Sequence, residues 1–167
     1  MDWIVIAKAL FFAAILLDGV YLGVLVHELG HASVALLATK QRVAAQVGTS
    51  HRYVSWELGR LRLKLGIAGF RYGATRYDRD GESLRVQRWV ILGGPLASLL
   101  VTVSLGLSLQ RFEVWSWLWL ALFALFIANF RILIVSLWPI EYPAPDGSGE
   151  KWLSDGLDFW RLGKERK

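Results

Sequence analysis

Residues 3–31 read WIVIAKALFFAAILLDGVYLGVLVHELGH, and the last five decide how the rest is read. The run from Trp3 to Val26 carries only two charged residues, Lys8 and Asp18. It is longer than the roughly 20 apolar residues that a helix needs to cross a bilayer. It ends in His27-Glu28-Leu29-Gly30-His31. On a helix this spacing sets two imidazoles one turn apart on one face, where both can bind a single Zn2+. The glutamate between them then stands beside the metal, placed to take a proton from water held there. Ionisable side chains at membrane depth are costly and mark function. The pentapeptide therefore implies a zinc hydrolase whose site lies within or just under a lipid bilayer. Gly30 lets another backbone or a substrate come close to the helix.

Composition agrees. The 167 residues suit one domain, and 54% hydrophobic content with nine Trp belongs to an integral membrane protein. The absence of cysteine excludes disulfides, thiol catalysis and Cys-ligated zinc. The net charge of +5 is unevenly spread, because eleven of the nineteen Lys and Arg lie between Lys40 and Arg88. A basic segment beside membrane helices sets orientation and touches anionic lipid, so a nucleic-acid partner is not expected. Asp2 and the lack of a basic leader argue against a cleaved signal peptide.

These patterns predict an all-α membrane protein: a three-transmembrane-helix core with a small β-hairpin or sheet between helices 1 and 2. Residues 1–167 form a single membrane-embedded domain. The spans cover about 3–37, 89–109 and 114–140, with a membrane-surface β region over 40–88 and a polar tail over 141–167. Val54, Trp56 and Leu58 alternate with polar residues, as do Leu61, Leu63 and Leu65, with the phase slipping at Gly59. That pattern reads as two strands and a turn. Another short strand, broken by glycines, is expected over Phe70–Tyr77. The basic loop places 40–88 in the cytoplasm, the N-terminus outside and the active site toward the cytoplasm, with a prokaryotic cell membrane the expected location.

A catalytic zinc needs three protein ligands and one open position. His27 and His31 are the first two, and Glu28 is the catalytic base. His51 reads as a solvated loop residue. The third ligand is then a carboxylate from the tail: Asp146, Asp155 or Asp158. Asp146-Gly147 lies in a turn-rich stretch, whereas Asp155 opens a short amphipathic helix for which Ser154 is the N-cap. A helix supports a ligand more firmly than a loop, which favours Asp155 over the alternative Asp146. Asp18 lies nine residues before His27 and so faces nearly the opposite side of the helix. It is expected to pair with Arg131.

The HELGH segment in the first span, Gly94-Pro95 in the second, Asn129 in the third and a following Asp-Gly together resemble the site-2 protease family of intramembrane zinc metalloproteases. The resemblance covers most of the chain. It implies cleavage of peptide bonds in or near transmembrane segments of membrane-protein substrates, with His27, His31 and an Asp-Gly aspartate as zinc ligands and Glu28 as base. It also implies that Gly69, Phe70, Arg71 and Tyr72 are similar to an edge strand that pairs with substrate. Asn129 either positions substrate or bonds a neighbouring helix. Ser136-Leu137-Trp138-Pro139 departs from the family's Asn-Leu-x-Pro. The alternative expectation is a catalytically inactive zinc-binding membrane protein of the same fold that regulates or assembles others. Partners are then the lipid bilayer and a regulatory membrane protein or a second copy of the chain.

Overall fold

The apolar run folds into one continuous helix, α1 (Trp3–Ala38), of 36 residues. The computed structural model describes residues 2–49, 53–144 and 151–164. At 1.5 Å per residue α1 is about 54 Å long, well beyond a hydrocarbon core of about 30 Å. Two further helices, α2 (Leu84–Leu109) and α3 (Trp117–Leu137), pack against it. All three are long and apolar enough to cross a membrane.

Local chemistry fixes the helix ends. Ser83 and Ser116 cap α2 and α3, each hydroxyl accepting from a backbone N–H in the first turn. Pro139 stops α3, because the residue before a proline is driven out of the helical region, and Trp138 is extended. The second candidate span thus lies in a helix that begins at Leu84 rather than near residue 89. The third runs over 117–137 rather than 114–140, since Val114 and Trp115 belong to the turn before the cap. Trp115 has φ 69°, and its carbonyl accepts from Lys8 Nζ at 2.7 Å, which ties that turn to the start of α1.

The basic segment forms a four-stranded sheet of β1 (Val43–Val47), β2 (Val54–Leu58), β3 (Leu61–Leu65) and β4 (Gly73–Arg76), in the order β2-β3-β1-β4. The expected hairpin is β2–β3, with Gly59 at φ 61° in its turn. Strand β1 runs parallel to β3 and antiparallel to β4, so β4 is an edge strand. The sheet packs on the last turns of α1, where Ala32 and Ala35 meet Val43, Ala45 and Val90. The expected strand over 70–77 is shorter. Gly69 at φ 64° lies in a turn closed by Tyr72 N–H donating to its carbonyl, and extended pairing starts only at Gly73. After α3 the chain makes a small hairpin, β5 (Glu141–Pro143) and β6 (Lys151–Leu153), and ends in α4 (Asp155–Lys164). The fold is therefore a three-helix core with a small sheet and a short helix starting at Asp155, as expected, plus a hairpin in the tail.

Asp18 does not meet Arg131. Asp18 is exposed, and none of the ion pairs among the described residues contains either residue.

Candidate metal centre

The helical period of α1 places His27 and His31 on the side facing α2 and α3. Both are buried, with ring centroids 4.7 Å apart. Their Nε2 atoms are 3.1 Å apart. Asp155 closes the triangle: Oδ2 lies 2.9 Å from His27 Nε2, and Oδ1 lies 3.3 Å from His31 Nε2. A tetrahedral zinc with bonds of about 2.0–2.1 Å separates its ligand atoms by about 3.3–3.4 Å. These contacts, the two to Asp155 made by different carboxylate oxygens, come close to that spacing, so the group could hold a metal ion.

The hydrogen bonds behind the rings support the same conclusion. His31 Nδ1 is 2.7 Å from the Val90 carbonyl, a group that only accepts, so this nitrogen carries the proton. Gly94 N–H is also near Nδ1, at 3.3 Å, but the shorter contact decides the tautomer. Nε2 of His31 then faces a second imidazole and a carboxylate oxygen, and either a second proton on the ring or a metal cation must lie among these atoms. Electron-rich atoms converging in a buried site call for a cation among them. His27 Nδ1 has its own partner in Ser98 Oγ at 2.9 Å. Outer bonds of this kind orient metal-binding imidazoles.

Helix α2 can serve both rings because it comes very close to α1. A Cβ built on Gly30 would lie 2.4 Å from the Gly93 carbonyl oxygen, and one on Gly93 would lie 2.6 Å from that of Gly30. A Cβ on Gly94 would lie 2.2 Å from His31 Nε2, so the absence of a side chain at Gly94 makes the space that the ring occupies.

Asp155 comes from the first residue of α4. Ser154 forms the corner before it. Its hydroxyl accepts from Leu157 N–H at 3.3 Å and from Ile140 N–H at 3.2 Å, which fixes the start of α4 to the chain leaving α3. Ser154 is thus the expected N-cap. Burial raises the pKa of Asp155, but hydrogen bonds from His27 and His31 outweigh it and hold the carboxyl at about 2. Asp158 is not one of the grouped ligands and pairs instead with Arg79 at 3.0 Å. Asp146 and His51 lie outside the described residues.

Glu28 is buried but is not one of the three grouped ligands. The Thr75 hydroxyl on β4 donates to its Oε2 at 2.7 Å. Gly73 leaves room for it, since a Cβ there would lie 2.5 Å from Glu28 Oε1. Glu28, both histidines and Asp155 face one cavity of about 880 Å3, bounded by β4 on one side and by α3 and the β5–β6 hairpin on the other. Tyr142 of β5 also lines it. Burial, with the carboxylates of Asp155 and Glu28 nearby, pushes the Tyr142 phenol up to about 12, so it stays a neutral donor.

The residues expected to meet substrate separate. Arg71 and Tyr72 line the cavity, whereas Gly69 and Phe70 do not, because the turn at Gly69 carries them away. Asn129 does not reach the cavity either. Its Nδ2 donates to the Leu125 carbonyl of its own helix at 3.0 Å, and its Oδ1 packs beside Gly23. Four positions escaped the sequence reading: Val90, Ser98, Thr75 and Tyr142. Pro95, inside α2 between Val90 and Ser98, was the nearest signal for the first two.

Comparison with protein-family models, with curated proteins and with solved structures finds no match to this chain.

Proposed function

We propose that this chain is an intramembrane zinc metalloprotease that hydrolyses peptide bonds in or near transmembrane segments of membrane-protein substrates. The observation that carries the proposal is the convergence of His27 Nε2, His31 Nε2 and the Asp155 carboxylate beside a buried glutamate that binds none of them. Three ligands with an open side fit a catalytic site better than a closed structural one. The resemblance of the HELGH segment and the following Asp-Gly to the site-2 protease family points the same way.

Zinc, when bound, supplies Lewis acidity and makes water acidic enough to ionise near neutral pH. His27, His31 and Asp155 hold it. Glu28 Oε1 accepts the proton of the attacking water, while Thr75 keeps Oε2 engaged, and the same carboxyl later delivers that proton to the leaving amine. Tyr142 remains protonated at any physiological pH and faces the cavity, where it can donate to a carbonyl oxygen gaining charge. The outer edge of β4 offers unpaired main-chain groups to an extended segment, which suits a substrate helix that has been unwound for cleavage. Three apolar helices argue for residence in a membrane, and the basic loop argues for a cytoplasmic position of the sheet and the site.

The test uses purified protein in lipid nanodiscs, with zinc content and cleavage of a panel of single-span membrane proteins measured together. One zinc per chain with cleavage is expected, and Glu28→Gln keeps the zinc and loses the cleavage. Full zinc occupancy with no cleavage across the panel would favour the regulatory, non-catalytic alternative. Unimpaired cleavage by Glu28→Gln would remove that residue from its role.

A further inference from the structure

A second recess lies between the first turns of α2 and the middle of α4. Its volume is about 360 Å3, and it shares no lining residue with the large cavity. Arg85, Arg88, Trp89 and Leu92 line it from α2, and Phe159 lines it from α4. Carboxylates are absent from its lining among the described residues.

We propose that this recess binds the headgroup of an anionic phospholipid. The shared chemistry of the ligand is a phosphate anion carried on an apolar body. Four observations lead to it. The first is depth. With 26 residues α2 is about 39 Å long, which exceeds the hydrocarbon core by about two turns. Its first turns therefore stand at the level of the headgroups.

The second is the state of Arg88. Its guanidinium carbon lies 5.8 Å over the Phe159 ring, and one terminal nitrogen reaches the Leu162 carbonyl at a long 3.4 Å. Its Nε is buried with no hydrogen-bond partner among the described residues. Arg88 is thus incompletely satisfied where it lines the recess, and a phosphate oxygen suits a planar cationic donor at that wall.

The third is the composition of the walls. Arg85 and Arg88 supply charge, while Trp89 and Leu92 supply an apolar surface continuing toward the lipid chains. An inorganic anion would have no use for that surface, whereas an amphiphile matches both halves. The fourth is α4 itself. Its exposed Trp160 lies beside Phe159, and Lys164 Nζ sits 3.5 Å from the Trp160 ring centre. Aromatic and basic side chains on one short amphipathic helix are the pattern of an element lying in the membrane interface.

The experiment is native mass spectrometry of the purified full chain in detergent, titrated separately with short-chain phosphatidylglycerol and phosphatidylcholine. The expected result is a single phosphatidylglycerol retained in preference to phosphatidylcholine. Arg85→Gln, whose side chain is exposed, weakens retention about fivefold, and Arg85→Gln with Arg88→Gln weakens it about thirtyfold. Arg111→Gln, beyond the opposite end of α2, leaves it unchanged. Phe159→Ala keeps every charge and also weakens it. Equal retention of the two lipids, or unchanged retention in Arg85→Gln, would overturn the proposal. Displacement of the lipid by millimolar inorganic phosphate would assign the recess to the free anion and overturn it as well. Neither result bears on the proposed peptidase activity, since the two sites have no residue in common.

Discussion

Ser98 Oγ stands 2.9 Å from Nδ1 of His27, so a serine on α2 sets the ring of a histidine on α1. Ser98 is fully buried, and the bond spans 71 positions of sequence. With Nε2 committed to a metal, Nδ1–H donates to the serine oxygen and the ring cannot swing. Ser98→Ala should therefore weaken zinc binding by about 10–100-fold while leaving helix content intact. Competition with a chromophoric chelator measures the first and circular dichroism the second.

Asp155→Asn keeps the shape of the side chain and removes the charge. Two neutral imidazoles do not hold zinc as a full set of three ligands does. Zinc content after gel filtration is expected to fall from one per chain to near zero. Asp158→Asn, which loses only a partner of Arg79, is expected to retain it.

Gly94→Ala sets two effects against each other. Alanine in a helix interior gains about 0.5–1 kcal/mol over glycine. The added carbon, however, would stand 2.2 Å from His31 Nε2, far inside any allowed contact, and the ring must move. The steric term wins, so zinc occupancy should drop even though α2 forms readily. Atomic absorption on the purified variant checks it.

Thr75→Val removes the hydroxyl from Glu28 Oε2 without touching a ligand. Zinc content should stay at the wild-type level while the cleavage rate falls by up to about 100-fold, as expected when a reacting group is displaced slightly. A matching loss of zinc would show that β4 supports the metal rather than the base.

The acid response has a defined sign. Asp155 titrates at about 2 in the fold against an ordinary 3.8, so the folded state binds its proton less readily than the unfolded state does. Its contribution to stability is complete above about pH 4 and is lost as the pH falls through about 2. In zinc-free protein, Asp155→Asn should flatten the stability profile between those two values, read by tryptophan fluorescence. Zinc itself should leave earlier, because protons compete with it for the imidazole nitrogens while Asp155 is still ionised.

The parts of the site that were legible in the sequence are those fixed by local geometry. His27, Glu28 and His31 sit within five positions on one helix, and the helical period alone fixes their relation. The three spans follow from the length of apolar runs, and β2–β3 from alternation about Gly59. Ser154 and Asp155 follow from capping chemistry. What was hidden depends on contacts between distant segments. Val90 meets His31 across 59 positions and Thr75 meets Glu28 across 47, and no local pattern encodes either. Strand β1 escaped because Ala44 and Ala45 blur the alternation of Val43 and Val47. The strand expected over 70–77 starts only at Gly73 because the turn at Gly69 is a matter of one backbone angle.

Asp155 follows His27 by 128 positions. On the ribosome, at about 5–20 residues per second, its codon is read roughly 6–26 s after that of the first histidine. Both imidazoles are therefore made while the carboxylate has still to be synthesised. The group that could hold a metal ion is thus completed only by α4, and under the proposed function a half-made chain has no means of cutting its neighbours during translation.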